Sequence, residues 1–301
     1  MYQTTMEYNK SFENLLRGKQ ADRFMEQGKN KDAFGYAFPC GFKGDYAEAM
    51  AKENLFRRYG TVVHTPAGDN AVLTIVSTGN AELVDDGIAF PESDDSFNSF
   101  TSHSYKLASL TKIYTHYIQD NQFDVNAYLK NEFARRFGRA EENIMLNGSG
   151  TEEPTGILQT AEVGHTTEAL TYDDVISLYF SVKPEYRKNA VWLVNDKTAL
   201  ALRKLKDENG NYLWNPANST ILDRPVVYSP YMPDVEACAK PIAFGDLSYV
   251  WLLIRSPLSI KVLVEKYALQ GIFGYAANER FDSKLIRPEA IKVIQIEDNE
   301  E

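Results

Sequence analysis

Gly148-Ser149-Gly150, followed by Thr151, Glu152 and Glu153, is the part of this chain that comes nearest to a phosphate-cradling loop. Such a loop presents backbone N–H groups at a helix N-terminus and follows them with Gly-Lys-Ser/Thr to reach the anion and its metal. Neither lysine nor hydroxyl follows here in that frame, and the glycines come after a helical pattern instead of before one. Ser149 also lacks the Gly-x-Ser-x-Gly frame that exposes a nucleophile. What these small residues offer is a sharp change of chain direction. The four histidines, His64, His103, His116 and His165, have no partner at metal-ligand spacing, and no Cys-x-x-Cys is present. Cys40 and Cys238 stand far apart and make no disulfide framework, so a reducing cytosol is the expected place of synthesis. Glu152-Glu153 and Asp173-Asp174 read as solvated surface acids. Arg203-Lys204-Leu205-Lys206 reads as a helix end, where cations are stabilised by the dipole. No catalytic residue, cofactor site or metal site emerges.

The elements that position the turn are clearer. Val125, Leu129, Phe133, Phe137, Ala140 and Ile144 recur at intervals of three and four, predicting a helix over 124–147 with Asp124 or Asn126 as its cap. At 1.5 Å per residue it spans roughly 35 Å. Asn147-Gly148 ends it, with a left-handed glycine expected there. Gly138 inside it implies close packing or a slight bend, since glycine costs roughly 1 kcal/mol against alanine. Upstream, a short helical stretch carries Phe12, Leu15 and Leu16 on one side, too short to be stable alone. It must dock on its own body or on a neighbour. A second helix runs from Asp45 to Gly60.

From Thr61 to about Ile118 the pattern becomes β, with runs at Ala71–Ser77 and Phe97–Tyr117 around a tip at 80–96. Between Tyr59 and Tyr105 there is no Lys or Arg, but there are Asp69, Glu82, Asp85, Asp86, Glu92, Asp94 and Asp95. A two-stranded ribbon of this kind is barely stable in isolation. It is either a solvated hairpin or an arm resting on a neighbouring subunit. Downstream, helices are expected at Tyr172–Val182 and from the Asn195 cap through Leu205. A buried strand is expected at Ala190–Val194 and a hairpin turn at Asp207-Glu208-Asn209-Gly210. Further strands follow at 225–228, 242–244, 250–255, 259–266, 272–281 and 290–296. The net charge of −10 is not the profile of a nucleic-acid binder, although a container can enclose DNA without gripping it. No run approaches the ~20 apolar residues that span a bilayer.

Five blocks in order carry a family resemblance: Tyr36-Ala37-Phe38-Pro39; Phe90-Pro91-Glu92-Ser93-Asp94; Leu146-Asn147-Gly148-Ser149-Gly150-Thr151 with Pro154 and Gly156-Ile157-Leu158; Leu205 to Leu213; and Pro225-Val226-Val227. Together they resemble the major capsid proteins of tailed bacteriophages, the family named for phage Hong Kong ninety-seven. The resemblance implies an α+β phage major capsid fold with six stretches. These are an N-terminal arm (1–32), a lead-in with the first peripheral-domain helix (33–63), an extended β-hairpin loop (64–106), a peripheral domain with the long spine helix (107–165), an axial α/β domain (166–248), and peripheral strands with a C-terminal return to the axial domain (249–301). Asn147, Gly148, Gly150, Thr151, Pro154 and Gly156 would form the hinge after the spine.

The function implied is self-assembly, through pentamers and hexamers, into an icosahedral shell around double-stranded DNA, with no cofactor and no membrane. Partners would be copies of the chain, with scaffold, portal and prohead protease besides. It would be made in the bacterial host cytoplasm and end in the virion. Phe12, Leu15, Leu16, Asp85, Asp86, Asp94, Asp95, Arg203 and Lys204 are expected at subunit interfaces. The acidic ribbon would meet Lys183, Arg187, Lys188, Arg203 or Lys204 of a neighbour. Two departures stand out. Some members weld subunits through a lysine ahead of Pro-Glu-Ser, but Gly87 occupies that position, so no such cross-link is expected. The chain also leaves no room before the arm for the helical scaffolding region with which many members begin. A mature form, a shortened form or a separate scaffold would account for that. An encapsulin-like compartment is the nearest alternative, and a soluble hydrolase or nucleotide-binding enzyme the alternative of a different class.

Overall fold

The computed structural model describes residues 6–19, 36–37, 40–65, 70–77, 96–119, 123–206, 209–214 and 219–298. In chain order the helices are α1 (Met6–Leu16), α2 (Cys40–Glu53), α3 (Leu55–Tyr59), α4 (Thr115–Gln119), α5 (Val125–Asn147), α6 (Ile157–Thr160), α7 (Tyr172–Ser181), α8 (Pro184–Arg187) and α9 (Asp196–Lys204). The strands are β1 (Tyr36–Ala37), β2 (Thr61–His64), β3 (Asn70–Ser77), β4 (Ser96–Ser102), β5 (Tyr105–Tyr114), β6 (Glu162–Thr167), β7 (Val191–Val194), β8 (Thr220–Ile221), β9 (Arg224–Tyr228), β10 (Ile242–Gly245), β11 (Val250–Leu263), β12 (Ile272–Leu285) and β13 (Ile291–Ile296).

A long hairpin, β11–β12, organises the first layer. β5 extends it antiparallel on one side, and β1 and β2 both pair with the far edge of β11. The two strands expected at 250–255 and 259–266 are one, because bulges between Ile254 and Ser259 absorb Pro257 without ending the pairing. One face of this sheet is apolar, with Ile113, Ile260, Tyr275 and Ala277, and α1, α2 and α5 lie over it. Val125, Leu129, Phe133 and Phe137 of α5 fill that interface as their spacing requires. Asp124 caps α5 by accepting from Ala127 N at 3.0 Å.

The second sheet runs β6-β13-β10-β7-β9-β8, with parallel pairs at β13–β6 and β7–β9. All four residues of β7 are buried because the sheet is covered on both faces. Val191 and Leu193 enter a core shared with the hairpin, while Trp192 and Val194 enter a core with α7 and α9. Trp192 stacks at 4.2 Å on Phe244 and donates to Ile221 O at 2.9 Å. β3 and β4 form a separate two-stranded ribbon, antiparallel from Asn70↔Ser102 to Ser77↔Ser96. Asp85, Asp86, Asp94 and Asp95 of the expected tip lie outside the described residues, as do Asp207 and Glu208 of the expected turn.

Three local expectations are corrected. The helix from Asp45 to Gly60 is two helices, broken at Asn54, whose side chain caps α3 through Phe56 N at 2.8 Å. His165 lies on β6, not in a loop. Asp174 is not a solvated acid: it is buried, bonded to Thr171 N and Oγ1 at 2.7 Å and to His165 Nε2 at 2.7 Å. Burial pushes its carboxyl up, but the Thr171 hydroxyl and N–H, then His165 and Thr167, outweigh burial and hold it below the usual value.

Candidate assembly site

The chain leaves α5 through a compact loop that returns it to the core within a few residues. Ser149 and Thr155 form an antiparallel bridge, and Gly156 N donates to Gly148 O at 2.8 Å. Ser149 N is held by Glu153 Oε1 at 2.9 Å, giving that acid a structural partner. Pro154 is buried, Thr151 is exposed, and Ile157 and Leu158 of α6 dock against Met145 and Leu146. Asn147 ties the end of the helix to Tyr231 O at 2.9 Å, across to the chain that follows β9.

The glycines serve two different purposes. Gly150 is left-handed, at φ +79°, as a tight return requires. Gly148 is not left-handed, contrary to expectation: its φ is −53° and its ψ 141°. Crowding selects glycine there, since a Cβ would stand 2.1 Å from Pro154 O. At Gly156 a Cβ would stand 2.4 Å from Leu146 O. The loop is therefore a fixed corner in which backbone meets backbone.

Just before this corner α5 buries two carboxylates that periodicity did not reveal. Glu142 accepts from Ser229 Oγ at 2.6 Å and Leu55 N at 3.0 Å. Burial raises its pKa, and those two donors offset part of the rise. Glu141 takes both arms of Arg57 at 2.7 Å. These bonds join α5 to α3, on the hairpin side, and to the segment after β9 in the second sheet.

Phe12, Leu15 and Leu16, expected at a subunit interface, are enclosed by the chain's own core, Phe12 and Leu16 each 1% exposed. The reason is that α1 finds the apolar groove beside α5 and the sheet, with Tyr275 Oη donating to Leu16 O at 2.6 Å. Arg203 lies over the Trp214 ring at 4.4 Å, and Lys204 is exposed on the last turn of α9. Among the described residues no group of three His, Cys, Asp or Glu side chains could hold a metal ion, and no helix is long and apolar enough to cross a membrane.

Two of the solved structures similar to this chain are capsids of GTA particles. The capsid of an empty GTA particle computed with C5 symmetry matches at a TM-score of 0.68 with 27% identity, over 81% of this chain and 89% of that chain. The capsid of the native GTA particle matches at 0.67 with 24% identity, over 90% and 95%. A structure from Gordonia phage Cozz shares the fold at 0.62 with 12% identity, over 82% and 87%. No curated protein matches the chain. These neighbours define the class as a structural coat subunit of a capsid, not an enzyme. The model described as the phage capsid family matches residues 35–296. The chain belongs to that family, as a major capsid protein that builds the shell with copies of itself.

Proposed function

We propose that copies of this chain assemble in the bacterial host cytoplasm, through pentamers and hexamers, into an icosahedral shell that encloses phage double-stranded DNA. Scaffold, portal and prohead protease complete the assembly pathway. The observation that carries this reading is the match, over 89% of its length and at 27% identity, to a capsid computed with C5 symmetry. The hinge residues Asn147, Gly148, Gly150, Thr151, Pro154 and Gly156 hold the two sheets at a fixed angle, so that each subunit meets its neighbours in one geometry.

The acidic ribbon, with Asp85, Asp86, Asp94 and Asp95, rests on another copy. Of the cations that could receive it, Lys183 already faces Glu289 at 3.9 Å, Arg187 lies over Tyr179 and Phe180, and Arg203 lies over Trp214. Lys188 and Lys204 remain exposed. A second candidate receptor, with more cations side by side, is the outer face of the hairpin sheet, where Lys112 lies over the Tyr267 ring at 4.7 Å. There β5 presents Lys106, Ala108, Leu110, Lys112 and Tyr114, while β12 and β11 contribute Arg280 and Lys261. The outward positions of β5 carry no Asp or Glu, and the acid on that face of β12, Asp282, is buried and bonded to His103 N at 2.8 Å, in a chain of net charge −10. Rim charges mainly steer encounter. Reversing Lys106, Lys112 and Lys261 to Glu is expected to slow assembly on the order of tenfold at low salt, with little effect at high salt. Adding Asp85, Asp86, Asp94 and Asp95 to Lys in the same chain should recover the rate. Light scattering with electron microscopy of the products checks this, and equal rates for native and reversed chains would remove the proposed contact.

A further inference from the structure

Where the long hairpin crosses α5, the polar contact is an ion cluster with an odd charge count. Arg57 of α3 grips Glu141 of α5 through Nε and Nη2, both at 2.7 Å. The same Nη2 lies 3.5 Å from Glu279 Oε1 on β12, and Asn54 Nδ2 donates to Glu141 Oε2 at 3.0 Å. The side chains of Glu141 and Glu279 are 0% and 2% exposed, and that of Arg57 is 9% exposed. One guanidinium facing two carboxylates leaves one negative charge in excess, in surroundings too dry to hold it.

A slot of about 320 Å³ reaches this cluster from the surface. It forms because β1 pairs with β11 at Ser259 and Ile260 while β2 pairs with it from Trp251 to Ile254. The bulged stretch between them is left open on that edge, and Pro257 there has no N–H to offer. Val62, Ile254, Pro257 and Leu258 make the slot's apolar walls, and Glu279 and His64 also line it.

We infer that Glu141 and Glu279 hold one proton between them, and that this proton fastens the long hairpin to the spine helix, with the slot as its route to solvent. The groups facing the pair are Arg57 from α3, Asn54 at its cap, Tyr46 from α2 and His64 from β2. The neighbours of Glu279 on β5 and β11, Leu107 and Leu258, carry no charge. Burial pushes Glu141 up, but the Arg57 charge and the bonds from Glu279, Arg57 and Asn54 outweigh it and keep this carboxyl below its usual value. Glu279 is pushed well above its usual value by burial and then by the Glu141 charge, which Arg57 does not offset. The proton therefore sits on Glu279, whose O–H donates to the Glu141 carboxylate.

The pH dependence follows from these directions. As pH rises past the ordinary carboxylate range, Glu279 loses its proton first in the unfolded chain, so its contribution to stability falls until its own raised pKa is passed. Glu141 acts oppositely, and its contribution is lost as pH falls through its depressed pKa. The junction is tightest between the two.

Infrared difference spectroscopy of the full chain tests the proton directly. At neutral pH a C=O stretch of a protonated carboxylic acid is expected in the native chain and missing in Glu279→Gln. The alkaline decline of Tm should flatten in that variant. An identical acid band in both chains, or an unchanged alkaline decline, would overturn the inference. If the variant does not fold, the native titration decides: the band must be present at neutral pH and vanish as pH rises, and its absence at neutral pH refutes the proton.

Discussion

Arg57→Ala is expected to lower the stability of the subunit by about 3–5 kcal/mol, the range for breaking a buried ion pair by removing one partner. The loss arises mainly in what is left behind. Glu141, fully enclosed, would keep only the Asn54 amide and the Glu279 proton as partners. Arg57→Lys restores a charge but not the two-armed grip, so it should recover only part of the loss. Urea unfolding of the soluble subunit, followed by far-UV circular dichroism, measures both. A native midpoint for Arg57→Ala would show that the junction is not held by this pair.

Gly148→Ala should be nearly as damaging, by about 3 kcal/mol, the upper range for overpacking. The added Cβ would meet Pro154 O at 2.1 Å and Ile144 O at 2.6 Å, both backbone atoms of the corner itself. Neither can move without opening the Gly156 N–Gly148 O bond or the last turn of α5. Gly210→Ala is the control. Gly210 is left-handed at φ +83°, but a Cβ there meets nothing within 4 Å. Its expected cost is the conformational one alone, about 1–2 kcal/mol. Thermal unfolding of the two variants separates crowding from backbone strain: equal losses would mean that the corner is looser than its contacts imply. Gly148→Ala should also yield malformed particles or none, because the two sheets would no longer meet at their native angle.

Legibility in the sequence followed the physics of each element. The first half of α5 could be read because its contacts are apolar and repeat at the helical period. Beyond Phe137 the buried face turns to Gly138, Glu141, Glu142, Met145 and Leu146, leaving Ala140 and Ile144 half-buried. Periodicity counts acids as outward, so Glu141 and Glu142 were invisible until Arg57, Leu55 N and Ser229 stood beside them. Gly138 was legible as a close approach, and a Cβ there would meet the Glu53 Cβ at 3.0 Å. The apolar side of α1 was legible too, but not its destination, because a short amphipathic stripe says only that it must be covered. The corner at 148–156 was recognised by its motif, yet the reason for Gly148 needed the positions of Pro154 and Ile144. Asp174 reads as a solvated surface acid because a pair of acids is a common surface feature, and its bond to His165 comes from the pairing of β6 with β13.

The most direct test of the account is cryo-electron microscopy of the chain after expression at native length. It predicts closed shells, or pentameric and hexameric rings, in which the outer face carrying Lys106 and Lys112 lies beneath the ribbon of an adjacent copy. Single copies at every concentration and salt, with that face bare, would contradict it.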